Sequence, residues 1–397
     1  LTDLLITKAR RYGEPATDIT IRGGHITAIG GSRPTDLPIH DAGNRIALPG
    51  LVEAHTHLDK NMLGMPWYVN EVGPRLIDKI DNERAERRRL GIEPARQSAR
   101  QAAQTARFGA THIRTHVDVD TEVGVTGIEG VAATQAALRG IIDIEIVAFP
   151  QSGLLVRPGT LELMDAAMRA GGQVVGGLDP CAIDRDPKGH LDAIFGLATK
   201  YGAPVDIHLH EPGEMGAFSM ELIIERTLAL SLQGRVTISH AFCLGMPDDA
   251  AVGVLIEGLH RAGIAILTTA PASRPVPAVK RLAAAGIVVA AGSDGMRDTW
   301  GPYGNGDMLE RAMLVGLRNN LRRDDELCLA LDTVTTGGAA MLGLPDYGLA
   351  VGCHADLLLV EAETVAEAVV GRPTGRTTIK AGRITAHDGA LRFNPPA

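Results

Sequence analysis

Apolar and polar positions divide the chain into two short-period ends and a long middle. Near the amino end, Thr20-Ile-Arg-Gly-Gly-His-Ile-Thr-Ala28 is echoed near the carboxyl end by Thr378-Ile-Lys-Ala-Gly-Arg-Ile-Thr-Ala386. Each reads as a strand, a glycine-containing two-residue turn and a returning strand. Ala355-Asp-Leu-Leu-Leu-Val360 adds a further strand, so residues 1–49 and 346–397 are expected to build one small β-sandwich domain from both termini. Pro49-Gly50 marks the entry to the middle, residues 50–345, where short apolar runs alternate with Ala/Leu/Arg-rich stretches of helical character. That alternation is the mark of βα units around a parallel sheet. Eight strands are expected, at 51–55, 110–116, 142–149, 173–178, 205–210, 236–240, 264–268 and 287–291, enough for a (β/α)8 TIM barrel. The charged stretch from Asp78 to Arg100 interleaves both signs and is expected to be a solvated helix surface.

Composition narrows the function classes. The 397 residues are 45% hydrophobic with a net charge of −8, opposite to what a phosphate backbone or an anionic lipid surface attracts. Nucleic acid and membrane are therefore not expected as partners. No run approaches the ~18 apolar residues of a membrane span. The opening LTDLLITKARRYGEP is not a charged segment followed by an apolar one, and the four cysteines form no CxxC pair. A soluble, cytoplasmic protein, acting as a homo-oligomer on a small molecule, is the expectation.

Chemistry gathers at the expected strand ends. His55-Thr-His57 places two imidazoles on one face of a strand, a suitable start for a divalent site of the zinc kind. Three other strand ends carry His208-Leu-His210-Glu211, His240 and Asp294. One such residue alone is most simply a hydrogen bond to a neighbouring loop. Four such ends on one rim, where a TIM barrel keeps its active site, point to metal-dependent catalysis.

These motifs resemble the amidohydrolase superfamily. Pro49-Gly-Leu-Val-Glu-Ala-His-Thr-His57, a later strand-end His, His240 and Asp294 follow its signature order. Arg114-Thr-His-Val-Asp118, Val147-Ala-Phe-Pro-Gln151-Ser-Gly153 and Asp298-Thr-Trp300 are similar to its cytosine deaminase branch. His57-Leu-Asp-Lys60, Val175-Gly-Gly-Leu-Asp-Pro180 and Tyr303-Gly-Asn-Gly-Asp-Met308 are most similar to the N-isopropylammelide amidohydrolase type. The resemblance implies that His55, His57, His208 and Asp294 hold one metal ion, zinc by default, with iron or manganese as alternatives. It also implies that Glu211 is the general acid/base and that His240 orients the attacking water and stabilises developing charge. Gln151 would hydrogen-bond the substrate ring, since an amide can read adjacent donor and acceptor positions. Lys60 would reach a substrate carbonyl or else sit in a salt bridge. His210, His116 and Asp118 would hold ligands in position. The lysine that bridges two metals in binuclear members has no counterpart at Gly177-Leu-Asp-Pro180, the nearest being Lys188. Gly295 stands where cytosine deaminases carry a second acid, which points away from cytosine itself.

The implied activity is hydrolysis of a C–N bond in a cyclic amidine, foremost deamination of an amino-substituted pyrimidine, triazine or pterin-like ring. Release of an alkylamine from an aminotriazine, or hydrolysis of a cyclic amide, is the alternative within the fold. A catalytically inactive ligand-binding barrel is the alternative outside enzymology. Aromatic scarcity adds one expectation, because the chain has only two Trp, five Tyr and six Phe. Trp67, Tyr68, Phe149, Phe218, Phe242, Trp300 and Tyr303 lie near site-bearing strand ends and are expected to wall a pocket for a flat ring.

Overall fold

The computed structural model describes residues 2–396. Five strands open the chain: β1 Leu4–Arg11, β2 Thr17–Arg22, β3 His25–Ile29, β4 Ile39–Asp41 and β5 Ile46–Pro49. The eight expected barrel strands follow as β6 Leu51–Thr56, β7 Ala110–Asp118, β8 Asp143–Phe149, β9 Val174–Leu178, β10 Val205–His208, β11 Val236–Ser239, β12 Ala265–Thr268 and β13 Val289–Ala291. They pair in sequence order, all parallel, with helices between them. Strands buried on both faces read as continuous apolar runs rather than alternation, which is how Ile146–Phe149 and Val289–Ala291 appear. The seam between the last and first strands is drawn together by Asp294, whose N–H donates to the His55 carbonyl at 2.9 Å. Thr56 Oγ1 donates in turn to the Asp294 carbonyl at 2.9 Å.

The chain closes with β14 Leu357–Val360, β15 Arg376–Lys380, β16 Arg383–His387 and β17 Ala390–Leu391. These join the opening strands in the order β17-β16-β15-β14-β5-β1-β2-β3, with β4 also on β1. Strand β1 changes partners along its length: Leu4–Ala9 pair with β2, while Arg10 and Arg11 pair with β5. Side chains from both sets, among them Ile6, Ile19, Ile21, Leu357, Leu359 and Ile379, are buried together, as in a sandwich. Both echoed segments are hairpins, turning at Gly23-Gly24 and at Ala381-Gly382.

Two helices fill the connection from β6 to β7: α1 Leu76–Leu90 and α2 Pro94–Arg107. Helix α1 corrects the expectation of a solvated surface. Its Ile80, Glu83 and Arg87 lie on one face by their i, i+3 and i+7 spacing, and Glu83 and Arg87 are only 5% and 8% exposed. That face covers the rim of the barrel. Among the described residues, no helix is long and apolar enough to cross a membrane.

Candidate active site

Five side chains from four places along the barrel rim converge. The ligating atoms of His55, His208 and His240 lie within 4.8 Å of one another, and so do those of His55, His57 and Asp294. His55 belongs to both groups. Its protonation is dictated by its neighbours: Ser239 Oγ donates to Asp206 at 2.7 Å, so it accepts from His55 Nδ1 at 3.1 Å. Nε2 is then the bare nitrogen. His55 Nε2, His57 Nδ1, both nitrogens of His208 and His240 Nε2 are buried without a hydrogen-bond partner. Burial and neighbouring histidines hold His55 and His208 well below the ordinary imidazole value, and His240 is lowered to about 3. His55, His208 and His240 are thus neutral imidazoles with unpartnered nitrogens beside the Asp294 carboxylate, which His57 faces through Nε2 at 3.3 Å, a donor set that suits a divalent cation. His116 is fully buried against these rings, its centroid 4.0 Å from His55 and 4.5 Å from His208.

Around this centre lie groups that hold or move protons. Asp179 accepts from the His210 backbone N–H at 2.6 Å and lies 2.7 Å from His210 Nδ1, leaving Nε2 for the cavity. Burial works against protonation of His210, and Asp179 overrides it and raises the imidazole. Glu211 is buried, with Oε1 accepting from the N–H groups of Cys181 (2.8 Å) and Ala182 (2.7 Å). Its Oε2 accepts from the Ser219 hydroxyl. Burial raises the Glu211 carboxyl above the ordinary value despite these donors. A carboxylate has about four acceptor positions, so one remains for substrate or water.

Lys60 is buried within a cluster of acceptors. Its Nζ donates to Gln151 Oε1 (2.6 Å), Asp118 Oδ1 (3.2 Å) and Glu83 Oε2 (3.3 Å), which engages all three ammonium protons. The salt-bridged alternative is the one realised, and Lys60 orients Gln151. Asp118 correspondingly serves Lys60 and Arg87 (2.7 Å) and stays 3.9 Å from His57. Burial pushes Asp118 up to about 7 against the pull of Lys60.

Two cavities meet at the centre. A small one of about 60 Å³ is lined by Lys60, Phe149, Gln151, Gly295, Asp298 and Trp300 together with the converging histidines. A larger one of about 310 Å³ adjoins it through His210, Asp294 and Trp300 and has Leu76, Met215, Phe242 and Pro271 among its apolar walls. Three of the seven singled-out aromatics serve these walls: Phe149, stacked 4.0 Å from the His208 ring, Phe242 and Trp300. Trp67 does not. It is 66% exposed and faces a separate cleft with Tyr68 and Arg297, because the loop after β6 carries it past the rim. Tyr303 and Phe218 are exposed as well, at 84% and 50%.

Several contributors escaped sequence reading. Asp206 and Ser239 sit on the same strand as His208 and next to His240, respectively, so alternation and adjacency are usable signals for them, whereas Asp179 follows β9, which carries no histidine. Glu83 and Arg87 gave none, since their spacing also describes a solvated helix. Lys188 is solvent-exposed and paired with Asp192 at 2.5 Å, far from any bridging role.

The chain matches the amidohydrolase family over residues 91–386. It is 31% identical over 356 residues to the N-isopropylammelide isopropyl amidohydrolase of Pseudomonas sp. strain ADP, covering 88% of each chain. The crystal structure of N-isopropylammelide isopropylaminohydrolase from Burkholderia multivorans superposes with a TM-score of 0.95 at 49% identity, covering 98% of this chain and 100% of that one. 5-Methylcytosine deaminase from Klebsiella pneumoniae, liganded with 5-fluorocytosine, matches with a TM-score of 0.84 at 29% identity, over 99% and 98% of the two chains.

Proposed function

Because the chain belongs to the amidohydrolase family, we propose that it is a metal-dependent hydrolase that cleaves an exocyclic C–N bond of an oxo-substituted nitrogen heterocycle and releases an alkylamine. One observation carries the choice of leaving group. A departing amine must be protonated, so it faces the proton-bearing groups His210 and Glu211. On that side the site opens into the larger cavity of about 310 Å³, with room for an alkyl substituent against Leu76, Met215, Phe242 and Pro271, whereas the cavity on the Gln151 side is only about 60 Å³. Two similar proteins are N-isopropylammelide isopropylamidohydrolases.

The proposed ligands are His55, His57, His208 and Asp294, and zinc is the ion that three imidazoles and a carboxylate fit. Such an ion supplies Lewis acidity and lowers the pKa of bound water. The chain does the rest. Phe149 and Trp300 flank the ring and Gln151 holds its edge. His240 Nε2 is placed to hydrogen-bond the attacking water. Glu211 takes a proton from that water and delivers it to the leaving nitrogen, a role its raised pKa suits.

The test is amine release from matched dioxo-triazines bearing an isopropylamino or an unsubstituted amino group. The alkylamino ring should show a kcat/KM at least tenfold higher, and Glu211→Gln should retain metal while losing activity by about 100-fold or more. Preferential ammonia release would make the protein a deaminase in the narrow sense. No metal-dependent release from either ring would reject the proposal.

A further inference from the structure

Gly295 does not leave the small cavity without a carboxylate. A Cβ at that position would lie 2.0 Å from Asp298 Oδ2, so the Asp298 side chain occupies the space that any larger residue at 295 would claim. Asp298 is 4% exposed and lines the same small cavity as Gln151. Its Oδ1 accepts from the N–H groups of Trp300 (2.7 Å) and Gly301 (3.0 Å), which leaves Oδ2 without a protein donor. Across the cavity, Gln151 has the reverse polarity. Its carbonyl is bound by Lys60 at 2.6 Å, so its amide N–H group is what it offers a ligand. Glu83 on α1 steadies this arrangement from behind, accepting from Lys60 and from Trp300 Nε1 at 2.5 Å.

We infer that Asp298 is a specificity-determining residue: it accepts a ring N–H while Gln151 donates to a ring carbonyl, so that the site selects rings presenting a lactam edge. This rests on the proposed reading of the site as a heterocycle hydrolase and deepens it. It replaces the idea of one amide reading both ring positions with two residues of opposite polarity, one admitted by the gap at Gly295. Rings carrying an amino group or a bare nitrogen along this edge would leave buried groups unpaired, which is the strongest basis for rejecting an analogue.

The test is binding rather than turnover, on metal-loaded protein with verified metal content. The probes are cyanuric acid in its neutral form, which has lactam edges throughout, and its N-trimethyl derivative, which keeps the carbonyls and lacks every N–H. Asp298→Asn should present an amide N–H group in place of the acceptor and weaken cyanuric acid at least tenfold, while changing the trimethyl ring by less than threefold. Gly295→Ala, which displaces Asp298 without touching its chemistry, should give the same pattern. Equal weakening of both probes, or no weakening of cyanuric acid in either variant, would overturn the inference. Failure to release alkylamine would count against the hydrolase reading alone, because the probes carry no leaving group.

Discussion

Glu53 stands two residues before His55 and carries a cost that pH can reveal. It is 1% exposed, its Oε1 accepts from the N–H groups of His55 (3.2 Å) and Ser293 (2.9 Å), and its Oε2 has no partner. Burial pushes its carboxyl from 4.5 up to about 7. A carboxyl whose folded value is raised ionises more readily in the unfolded chain. Stability is therefore lost as pH rises from about 4.5 to 7 and stays lost above that, by about 3 kcal/mol in total. Glu53→Gln keeps an acceptor at Oε1 and removes the titration. Its melting temperature should match the wild type near pH 5 and exceed it by an increasing margin up to pH 8; a pH-independent difference would dismiss the linkage. The position of Glu53 in Glu53-Ala-His55 was plain in the sequence, but its state was not. Ionisable residues beside a site declare their charge only once burial and partners are known. The same holds for Lys60, for which the sequence leaves a substrate carbonyl and a salt bridge equally open and whose three acceptors only the fold supplies.

Helix α1 shows why one element was misjudged while its neighbours were legible. Short apolar stretches recur at barrel strands such as Ile146–Phe149 and Ala265–Leu267 between helical segments, so the alternation along the chain marks all eight strands. Helix α1 instead covers a polar rim, and the face it buries is polar: Glu83 meets Lys60 and Trp300, and Arg87 bridges Asp59 (2.6 Å) and Asp118 (2.7 Å). Ile80 is the single apolar side chain buried on that face, so no stripe marks it in the sequence. Removing the bridging cation leaves buried Asp59 without its ion-pair partner and Asp118 with Lys60 alone. Arg87→Met should cost about 3–5 kcal/mol, with faster amide exchange in α1 and a raised KM as Gln151 loses its support. Arg88→Met is the control, since Arg88 is solvent-exposed and its contact with Glu122 is 3.4 Å, a pair worth less than about 1 kcal/mol. Similar losses in the two variants would show that the buried bridge has no special role.

At the scale of the molecule, the metal centre and the terminal sheet both join parts of the chain that are distant in sequence. The echo between residues 20–28 and 378–386 made the shared sheet legible, but not how it is fastened to the barrel. Arg376 binds Asp307 through two nitrogens (2.8 and 2.9 Å), Lys380 binds Asp143 (2.6 Å), and Thr378 donates to the Ala106 carbonyl at 3.0 Å. Strand β5 in that sheet runs into β6 through Gly50 alone, and β6 carries His55 and the seam to Asp294. Loosening the centre should therefore be felt by the whole structure. A metal bound to the folded state at a thousandfold excess over its dissociation constant stabilises by about 4 kcal/mol. Chelation should accordingly abolish activity and lower the melting temperature by several degrees, with one calorimetric transition moving as a unit and returning when zinc is restored. Two transitions, only one of them metal-sensitive, would show instead that the terminal sheet folds independently and that these ion pairs fasten it without coupling it to the site.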